Sequence, residues 1–360
     1  MRVRYDDQIM ILQRRGGISR YHVELIREFR ADPGLGVDPE VDWRSSRNEH
    51  AVAAGLGRST DRRRRRLTRL ARRLPSMPWQ RTNVYHPTYY DAAYLPDTPE
   101  PPMVVTVHDM IPELLPGLFP RGNPHLAKEG FVRRASAILC VSESTRQDLV
   151  NVYGPLEALV EVVPLAVGSE FAPGQPRPDG LSDSYILFVG RRGAYKDFGV
   201  AVEAFAAIRA EYPDLSLVAV GGGPFKDDEL ANMRRLSIER FVYRVDATDA
   251  ELPSLFGCAR AFVFPSRYEG FGLPTLEAMA CGTPVVVADS SSHPEVGGGA
   301  ALYFAPGDAS ALGAQLLRVL GDAELRQAMV SSGLDRAATF TWRQTAVRTR
   351  DVYAKAVRRV

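Results

Sequence analysis

The sequence predicts an α/β protein with two doubly wound parallel sheets, each covered by helices, facing one another across a cleft. Three observations lead there. The chain has 360 residues, of which 45% are hydrophobic, enough for about two domains with a core each. Short apolar runs alternate with helical patterns, the rhythm of parallel strands joined by crossover helices. A proline-, glycine- and serine-rich stretch, "GSEFAPGQPRPDGLSDS", divides the alternation in two.

In order, the first half offers strands at "QIMIL", "NVYHP", "MVVTVHD", "SAILCVS" and "VEVVPLAV". The second half is more regular, with "YILFVG", "LSLVAVGGG", "FVYRVD", "AFVFPS", "VVVAD" and "ALYFAP". Between these strands, Phe198 to Tyr212 and Asp227 to Arg240 carry helical periodicity, and an arginine-rich helix runs from Trp342 to Val360. The expected boundaries are 1–168, a linker at 169–184, and 185–342. Ligands of open parallel sheets bind outside the carboxyl ends of strands, so the loops that leave strands and enter helices are where chemistry is sought.

Composition excludes several classes. The formal net charge of +2 gives no global reason to expect nucleic acid. "MRVRYDDQIMILQRRGG" mixes charges into a short apolar run, without a small-residue cleavage pattern, so it does not read as a signal peptide, and no stretch is apolar enough to span a membrane. Cys140, Cys258 and Cys281 are far apart in apolar or small-residue contexts, as reduced cysteines of a cytosolic protein would be.

The most informative stretch is "SRYEGFGLPTLEAMACGTPVVVAD", Ser266 to Asp289. A strand ends at Ser266, Pro274 suits the first helical position, and Gly282 stops the helix. Glu269 is then a loop residue at a strand's carboxyl end, and Glu277, eight positions on, lies in the opening turn of the helix. Gly270 and Gly272 let backbone amides approach a ligand, and the helix N-terminus favours an anion. Two carboxylates there would repel a phosphate placed on them. They suit hydroxyls on either side of one: a ligand with sugar, diphosphate and ribose in a row. Taken singly, a glutamate early in a helix is more often dipole compensation, and a loop glutamate is more often solvated.

"EGFGLPTLEAMACGTPVV" resembles the EX7E signature of the retaining, metal-independent glycosyltransferases of family 4, and bacterial mannosyltransferases among them. "GGISRYHVELIREF", "VVTVHDMIPELLPGLFP", "AILCVSESTRQDL", "VVPLAV", "LFVGRRGAYKDF", "VAVGGGPF" and "HPEVGGGAALYFAPGD" resemble other blocks of that family, in order. The resemblance implies the GT-B fold, two Rossmann-like domains with the donor on the second, and a final helix, about 343–360, that returns to the first. It implies that Glu269 contacts donor-sugar hydroxyls, that amides of Phe271, Gly272 and Leu273 line the sugar and diphosphate, and that Glu277 holds the ribose. Arg191, Arg192 and Lys196 follow the strand ending at Gly190 and can neutralise a diphosphate as it leaves. The family commonly reads Arg-Lys here, whereas Tyr195 precedes Lys196, so Lys196 is the firmer assignment and one arginine supplies the second charge.

In the first domain, Gly16 and Gly17 open a helix and suit close approach of phosphate or acceptor, or a plain tight turn. Arg20 lies just inside that helix. His108 ends the strand "MVVTVH", and the resemblance places a histidine there beside the donor sugar's reacting carbon; Asp109 follows it. His86, ending "VYH", and Arg20 are acceptor-side candidates with Asp109. The implied reaction moves a hexose from a nucleoside-diphosphate sugar to a hydroxyl of a saccharide, lipid-linked or metabolite acceptor, with retention and same-face attack. No Asp-X-Asp triplet occurs, and the Asp-Asp pairs at Asp6 and Asp227 do not sit at convincing strand ends, so neither metal nor cofactor is expected.

"GRSTDRRRRRLTRLARRLPSMPW" sets Leu67, Leu70 and Leu74 on one helix face amid arginines. It reads as a solvated insertion, as a contact of Arg58 to Arg73 with anionic lipid at the inner face of the cytoplasmic membrane, or as a patch that meets an anionic lipid-linked or phosphorylated acceptor. Nucleic acid is not expected, for want of a recognised module. Three rival classes stand beside the transferase: a nicotinamide oxidoreductase, disfavoured because "VAVGGGPF" lacks Gly-X-Gly-X-X-Gly; an epimerase or phosphorylase on the same scaffold; and a non-catalytic polymer- or lipid-binding protein.

Overall fold

A computed structural model describes residues 1–41, 43, 46–57, 82–98, 100–119, 124–178 and 180–359. The Arg58 to Arg73 stretch lies outside the described residues. The chain divides into two compact units: Met1–Leu165 with Trp342–Val360, and Ala166–Thr341. Among the described residues, no helix is long and apolar enough to cross a membrane. The three cysteines form no disulfide; Cys140 and Cys281 are buried and Cys258 is half-buried.

The first unit carries strands β1 (Arg2–Tyr5), β2 (Asp38–Val41), β3 (Val84–His86), β4 (Val104–Val107), β5 (Ala137–Cys140) and β6 (Leu159–Val162). They pair in parallel in the orders β2-β1-β3 and β4-β5-β6, and a single parallel bridge, Tyr85 to Met103, links the two sets. Pro39 lies on β2, a strand at one end of its sheet, where a missing N–H does least harm. The helix Trp342–Arg358 belongs to this unit; Thr345 donates to the Pro164 carbonyl at 2.8 Å, and Lys355 pairs with Glu161 at 2.7 Å.

The opening of the chain differs from expectation. "QIMIL" is a helix, Gln8–Leu12, and the first strand is Arg2–Tyr5. In the strand Val3 and Tyr5 are buried while Arg2 and Arg4 are only half-buried, the period-two pattern of a sheet face. In the helix Gln8, Ile9 and Met10 are buried while Ile11 and Leu12 stay exposed, as one-sided burial of a short helix requires. Gly16 and Gly17 therefore follow a helix and a loop, and they open the helix Gly17–Ala31. Asp6 is corrected too: it stands directly at the carboxyl end of β1.

The second unit holds β7 (Tyr185–Val189), β8 (Ser216–Val220), β9 (Val242–Val245), β10 (Ala261–Phe264), β11 (Val285–Ala288) and β12 (Ala301–Phe304), in the order β12-β11-β10-β7-β8-β9. All pairs are parallel. β10 is wholly buried, as are four of the five residues of β7, the burial that central strands covered on both faces show. Phe188, Phe198, Phe205, Leu217, Val263, Leu312 and Leu316 share one core, each contributing roughly 1.5–3 kcal/mol of apolar burial. Two helices not anticipated from the sequence, Ala309–Gly321 and Ala323–Ala338, start at aspartates: Asp308 accepts from the Ala311 N–H and Asp322 from the Leu325 N–H. The helix expected over Asp227 to Arg240 ends at Arg235, where Ser237 turns left-handed at φ +58° and a short 3-10 turn follows.

Candidate functional site

The strand order of the second unit reverses between β7 and β10, which pair directly through Ala261 with Ile186 and Phe262 with Leu187. At such a switch point the two following loops diverge and leave room for a ligand. After β7 the chain runs through Gly190, Arg191 and Arg192 to a 3-10 turn, Ala194–Lys196, and enters the helix Phe198–Ile208. After β10 it runs through Arg267, Glu269 and Gly270 to the helix Leu273–Ala280. Both loops carry the residues singled out from the sequence.

The two loops are stitched together. The Arg267 N–H donates to the Tyr195 carbonyl at 2.8 Å, the Arg267 guanidinium pairs with Asp197 at 2.6 Å, and the Lys196 ammonium donates to the Glu269 carboxylate. Lys196 and Glu269 side chains are only 16% and 11% exposed, so their attraction is weakly screened. The ammonium also lies 5.3 Å from the Tyr195 ring centroid and 5.2 Å from that of Phe264, a cation against two aromatic faces. Tyr195, the departure from the family pattern, thus touches the cation it precedes.

A third loop, after β11, grips Glu269 by its backbone. The Glu269 N–H donates to Ser291 Oγ at 2.9 Å, and the Ser292 hydroxyl donates to the Glu269 carbonyl at 2.9 Å. Next along, His293 is fully buried against Phe264 and its Nδ1 lies 2.8 Å from the Ala288 carbonyl. A carbonyl only accepts, so Nδ1 carries the proton and Nε2 is left as a lone-pair acceptor without a partner among the described residues. Burial lowers the His293 pKa, with the Glu269 charge opposing that shift. Ser291, Ser292 and His293 were not singled out by sequence reasoning. The signal was there: "SSSH" follows a strand that neighbours β10, so the strand-end rule reaches it.

Gly272 caps the Leu273–Ala280 helix at φ +88°, a left-handed conformation that glycine adopts freely. Gly270 and Phe271 beside it are buried, and Leu273 is half-buried. Glu277 is 3% exposed and lies in the second turn, since the helix begins at Leu273 rather than Pro274.

Arg192 does something other than expected. Its guanidinium donates to the carbonyls of Gly221, Gly223 at 2.8 Å and Pro224 at 2.7 Å, and pairs with Glu229 at 2.9 Å. It also sits 4.6 Å from the Phe225 ring centroid. Its side chain is 2% exposed. Every face of this guanidinium is engaged within the unit, clamping the turn Gly221–Gly222–Gly223, all three at positive φ. Arg191 is exposed. Of the two arginines, only Arg191 has its charge at the surface.

In the first unit His86 is fully buried, its Nδ1 2.6 Å from Tyr353 Oη and its Nε2 2.8 Å from Thr106 Oγ1. With both nitrogens engaged, it joins the core to the last helix and does not present itself to an acceptor. His108, just past β4, is half-buried and edge-on to Tyr21 at 5.1 Å. Its Nε2 has no partner among the described residues, and burial pushes its pKa down to about 4. Asp109 accepts from the Ile111 N–H at 3.1 Å, and its carbonyl accepts from Lys128 Nζ at 2.8 Å. Arg20 is half-buried in the first turn of its helix, its N–H donating to the Gly16 carbonyl at 3.0 Å.

Asp6 is set aside in the sequence reading because that reading misplaces its strand. Its carboxylate accepts from Thr88 Oγ1 at 2.5 Å, Tyr85 Oη at 2.6 Å and Gln8 Nε2 at 2.6 Å. Burial raises its pKa and these bonds oppose the rise. It ties the ends of β1 and β3 together. Among the described residues, no group of three or more His, Cys, Asp or Glu could hold a metal ion.

Comparison with known proteins agrees with this architecture. Residues 177–336 match the family described as "Glycosyl transferases group 1", and residues 15–171 match "Glycosyltransferase Family 4". The O-antigen chain mannosyltransferase B of Escherichia coli is 30% identical over 287 residues, 75% of this chain and 74% of that protein. The glycogen synthase of Mycobacterium tuberculosis is 30% identical over 240 residues, 65% of this chain and 58% of that protein. In three dimensions the chain is similar to sucrose-phosphate synthase from Thermosynechococcus elongatus, with a TM-score of 0.72 at 18% identity over the whole of both chains. The chain belongs to the group 1 glycosyltransferases of family 4 and has their GT-B fold of two Rossmann-like domains.

Proposed function

We propose that the protein transfers a hexose from a nucleoside-diphosphate sugar to an acceptor hydroxyl with retention, without a metal, using the switch-point loops of the second unit as the donor site. The observation that carries this reading is the pairing of Lys196 with Glu269 beside the N-terminus of the Leu273–Ala280 helix. A carboxylate for sugar hydroxyls and a cation for phosphate stand next to each other, where a sugar joined to a diphosphate presents both groups.

Glu269 and the backbone of Gly270, Phe271, Gly272 and Leu273 hold the sugar and the diphosphate, and Glu277 holds the ribose. Lys196 and the exposed Arg191 neutralise the leaving diphosphate, the work a metal does elsewhere. In the step itself the bond from C1 to the diphosphate oxygen breaks, the acceptor oxygen bonds to C1 on the same face, and the acceptor proton passes to the departing phosphate oxygen. His108 and Asp109, at the end of β4, serve the reacting centre on the acceptor side. The neutral state that burial imposes on His108 suits hydrogen bonding to a sugar hydroxyl.

The mannosyl transfer in the E. coli relative's name makes GDP-mannose the first donor to try, with UDP-sugars next. The acceptor is a saccharide, lipid-linked or small-metabolite hydroxyl. The arginines between 58 and 73 support a peripheral contact with anionic lipid on the cytoplasmic side.

Thermal melting of wild type and Glu277→Ala with UDP, GDP, dTDP and ADP, without metal and then with Mg²⁺, tests the donor site. A nucleotide at about a hundred times its dissociation constant stabilises the fold by roughly 2.7 kcal/mol. One nucleotide is expected to raise the melting temperature without metal and to lose that effect in the variant. No shift with any of them would remove the donor-site assignment.

A further inference from the structure

We propose that Arg267, acting through Asp197, is a positioning residue that holds Lys196 where its ammonium meets the donor diphosphate; the proposal rests on the donor-site reading above. Arg267 and Asp197 carry no part of the sequence argument for this site.

Asp197 separates Lys196 from the helix Phe198–Ile208 and takes the left-handed conformation at φ +52°, ψ +38°. It is one of three non-glycine residues at positive φ among those described. An aspartate at this helix start would ordinarily cap it, yet Asp197 makes no side-chain capping bond. Its carboxylate turns instead to Arg267, whose Nε lies 2.6 Å away. Glycine adopts this conformation without strain, so the backbone alone gives no reason for an aspartate. The carboxylate does.

Three links then join consecutive residues of one loop to the other. Tyr195 accepts from the Arg267 N–H at 2.8 Å, Lys196 donates to Glu269, and Asp197 accepts from the Arg267 side chain. Lys196 is the middle rung, with a fixed residue on each side. A lysine side chain has many rotamers, and anchoring both flanking residues, Tyr195 by its carbonyl and Asp197 by its carboxylate, narrows where its ammonium can lie before a ligand arrives. Arg267 is itself neutralised in the process, with its side chain 60% exposed. Asp197, by its hydrogen bond and its charge, raises the Arg267 pKa further.

The test compares nucleoside diphosphate with monophosphate, because Lys196 acts on the phosphate that only the diphosphate has. Calorimetric titration uses UDP against UMP and GDP against GMP, with wild type, Lys196→Ala, Asp197→Gly, Arg267→Ala and Arg267→Lys, and melting temperature as a control for folding. Wild type prefers the diphosphate, and Lys196→Ala is expected to remove about tenfold or more of that preference. Arg267→Ala and Asp197→Gly each lose about fivefold of it with monophosphate affinity unchanged, and Arg267→Lys recovers most. Adding Arg267→Ala to Lys196→Ala changes nothing further. If Arg267→Ala and Asp197→Gly keep the wild-type preference, or weaken both nucleotides equally, the positioning role is wrong.

Failure of the donor-site reading is told apart by a measurement that needs no nucleotide. The chain has four lysines, Lys128, Lys196, Lys226 and Lys355, so a brief pulse of acetic anhydride followed by peptide mapping reports each one. Asp197→Gly and Arg267→Ala are expected to raise acetylation of Lys196 several-fold and leave Lys226 and Lys355 as in wild type. Unchanged labelling of Lys196 overturns the proposal even where nucleotides bind.

Discussion

Lys196 hydrogen-bonds Glu269 across 73 positions of sequence, so the cation and the carboxylate of the proposed donor site neutralise each other before any ligand arrives. Removing one partner leaves the other charged and mostly buried. Lys196→Met and Glu269→Gln are each expected to lower stability by about 1–3 kcal/mol, and the double variant to recover most of it. Turnover behaves differently: all three variants lose about a hundredfold or more, because charge that develops in the transition state has lost its counterpart. Urea denaturation beside steady-state kinetics separates the two effects; equal recovery of stability and turnover in the double variant would contradict the assigned roles.

Arg192 offers a sharp contrast with Lys196. If it clamps the turn at Gly221–Gly223, Arg192→Ala leaves Glu229 and three carbonyls without their partner and destabilises the second unit by about 3 kcal/mol. Arg192→Lys is no rescue, since an ammonium cannot span the same acceptors. Chemical denaturation measures it. A normal unfolding curve with weakened nucleotide binding would restore the direct phosphate role expected from the sequence.

Three histidines packed ring to ring, His22, His86 and His108, predict acid sensitivity. Burial lowers His22 well below its ordinary value, and takes His86 to about 3 and His108 to about 4. Above pH about 6.5 these groups are neutral in both folded and unfolded chains and stability is indifferent to them. As pH falls below that, the unfolded chain binds protons that the folded one refuses, so stability drops by up to about 1.4 kcal/mol per pH unit for each histidine. The drop tapers at the folded values, near pH 4 for His108 and 3 for His86. Melting temperature followed from pH 7 to 4.5 should fall, and His22→Gln should flatten the slope.

Gly272→Ala places a side chain at φ +88°, about 1–2 kcal/mol uphill, with its Cβ 3.4 Å from the His293 ring. The expected result is a modest loss of stability and a larger loss of nucleotide affinity, since the turn that presents its amides is displaced. Calorimetric titration with UDP and GDP reads the second; unaltered affinity would mean the turn is not part of the donor site.

The second unit is legible in sequence because its strands lie inside a sheet covered on both faces, and such strands are continuous apolar runs. β1 is not, because Arg2-Val3-Arg4-Tyr5 hides a strand in alternation while "QIMIL" offers a brighter apolar run that folds as a helix. The loops after β7 and β10 announce themselves by glycines and charges at strand ends. What stays hidden is which charge faces outward. Arg191 and Arg192 are adjacent and chemically identical, and only the path of the chain puts one at the surface and the other inside the glycine turn. His86 and His108 each close an apolar run in the same way, and what distinguishes them is tertiary: Tyr353 on the last helix and Thr106 on β4 engage both nitrogens of His86. Ser291 and Ser292 stand at a strand end that the sequence shows, but that their hydroxyls hold the backbone of another loop follows only from the packing of the two loops.

The bond between His86 Nδ1 and Tyr353 Oη, 2.6 Å long, joins residues 267 positions apart, with the whole of the second unit made in between. On the ribosome, therefore, the second unit is a contiguous stretch that has all its strands by residue 304, whereas the first needs the helix that starts at Trp342 to close its interior. The unit whose synthesis starts first is completed second, and a nascent chain passes through a stage in which one unit is whole while the other still lacks its seal.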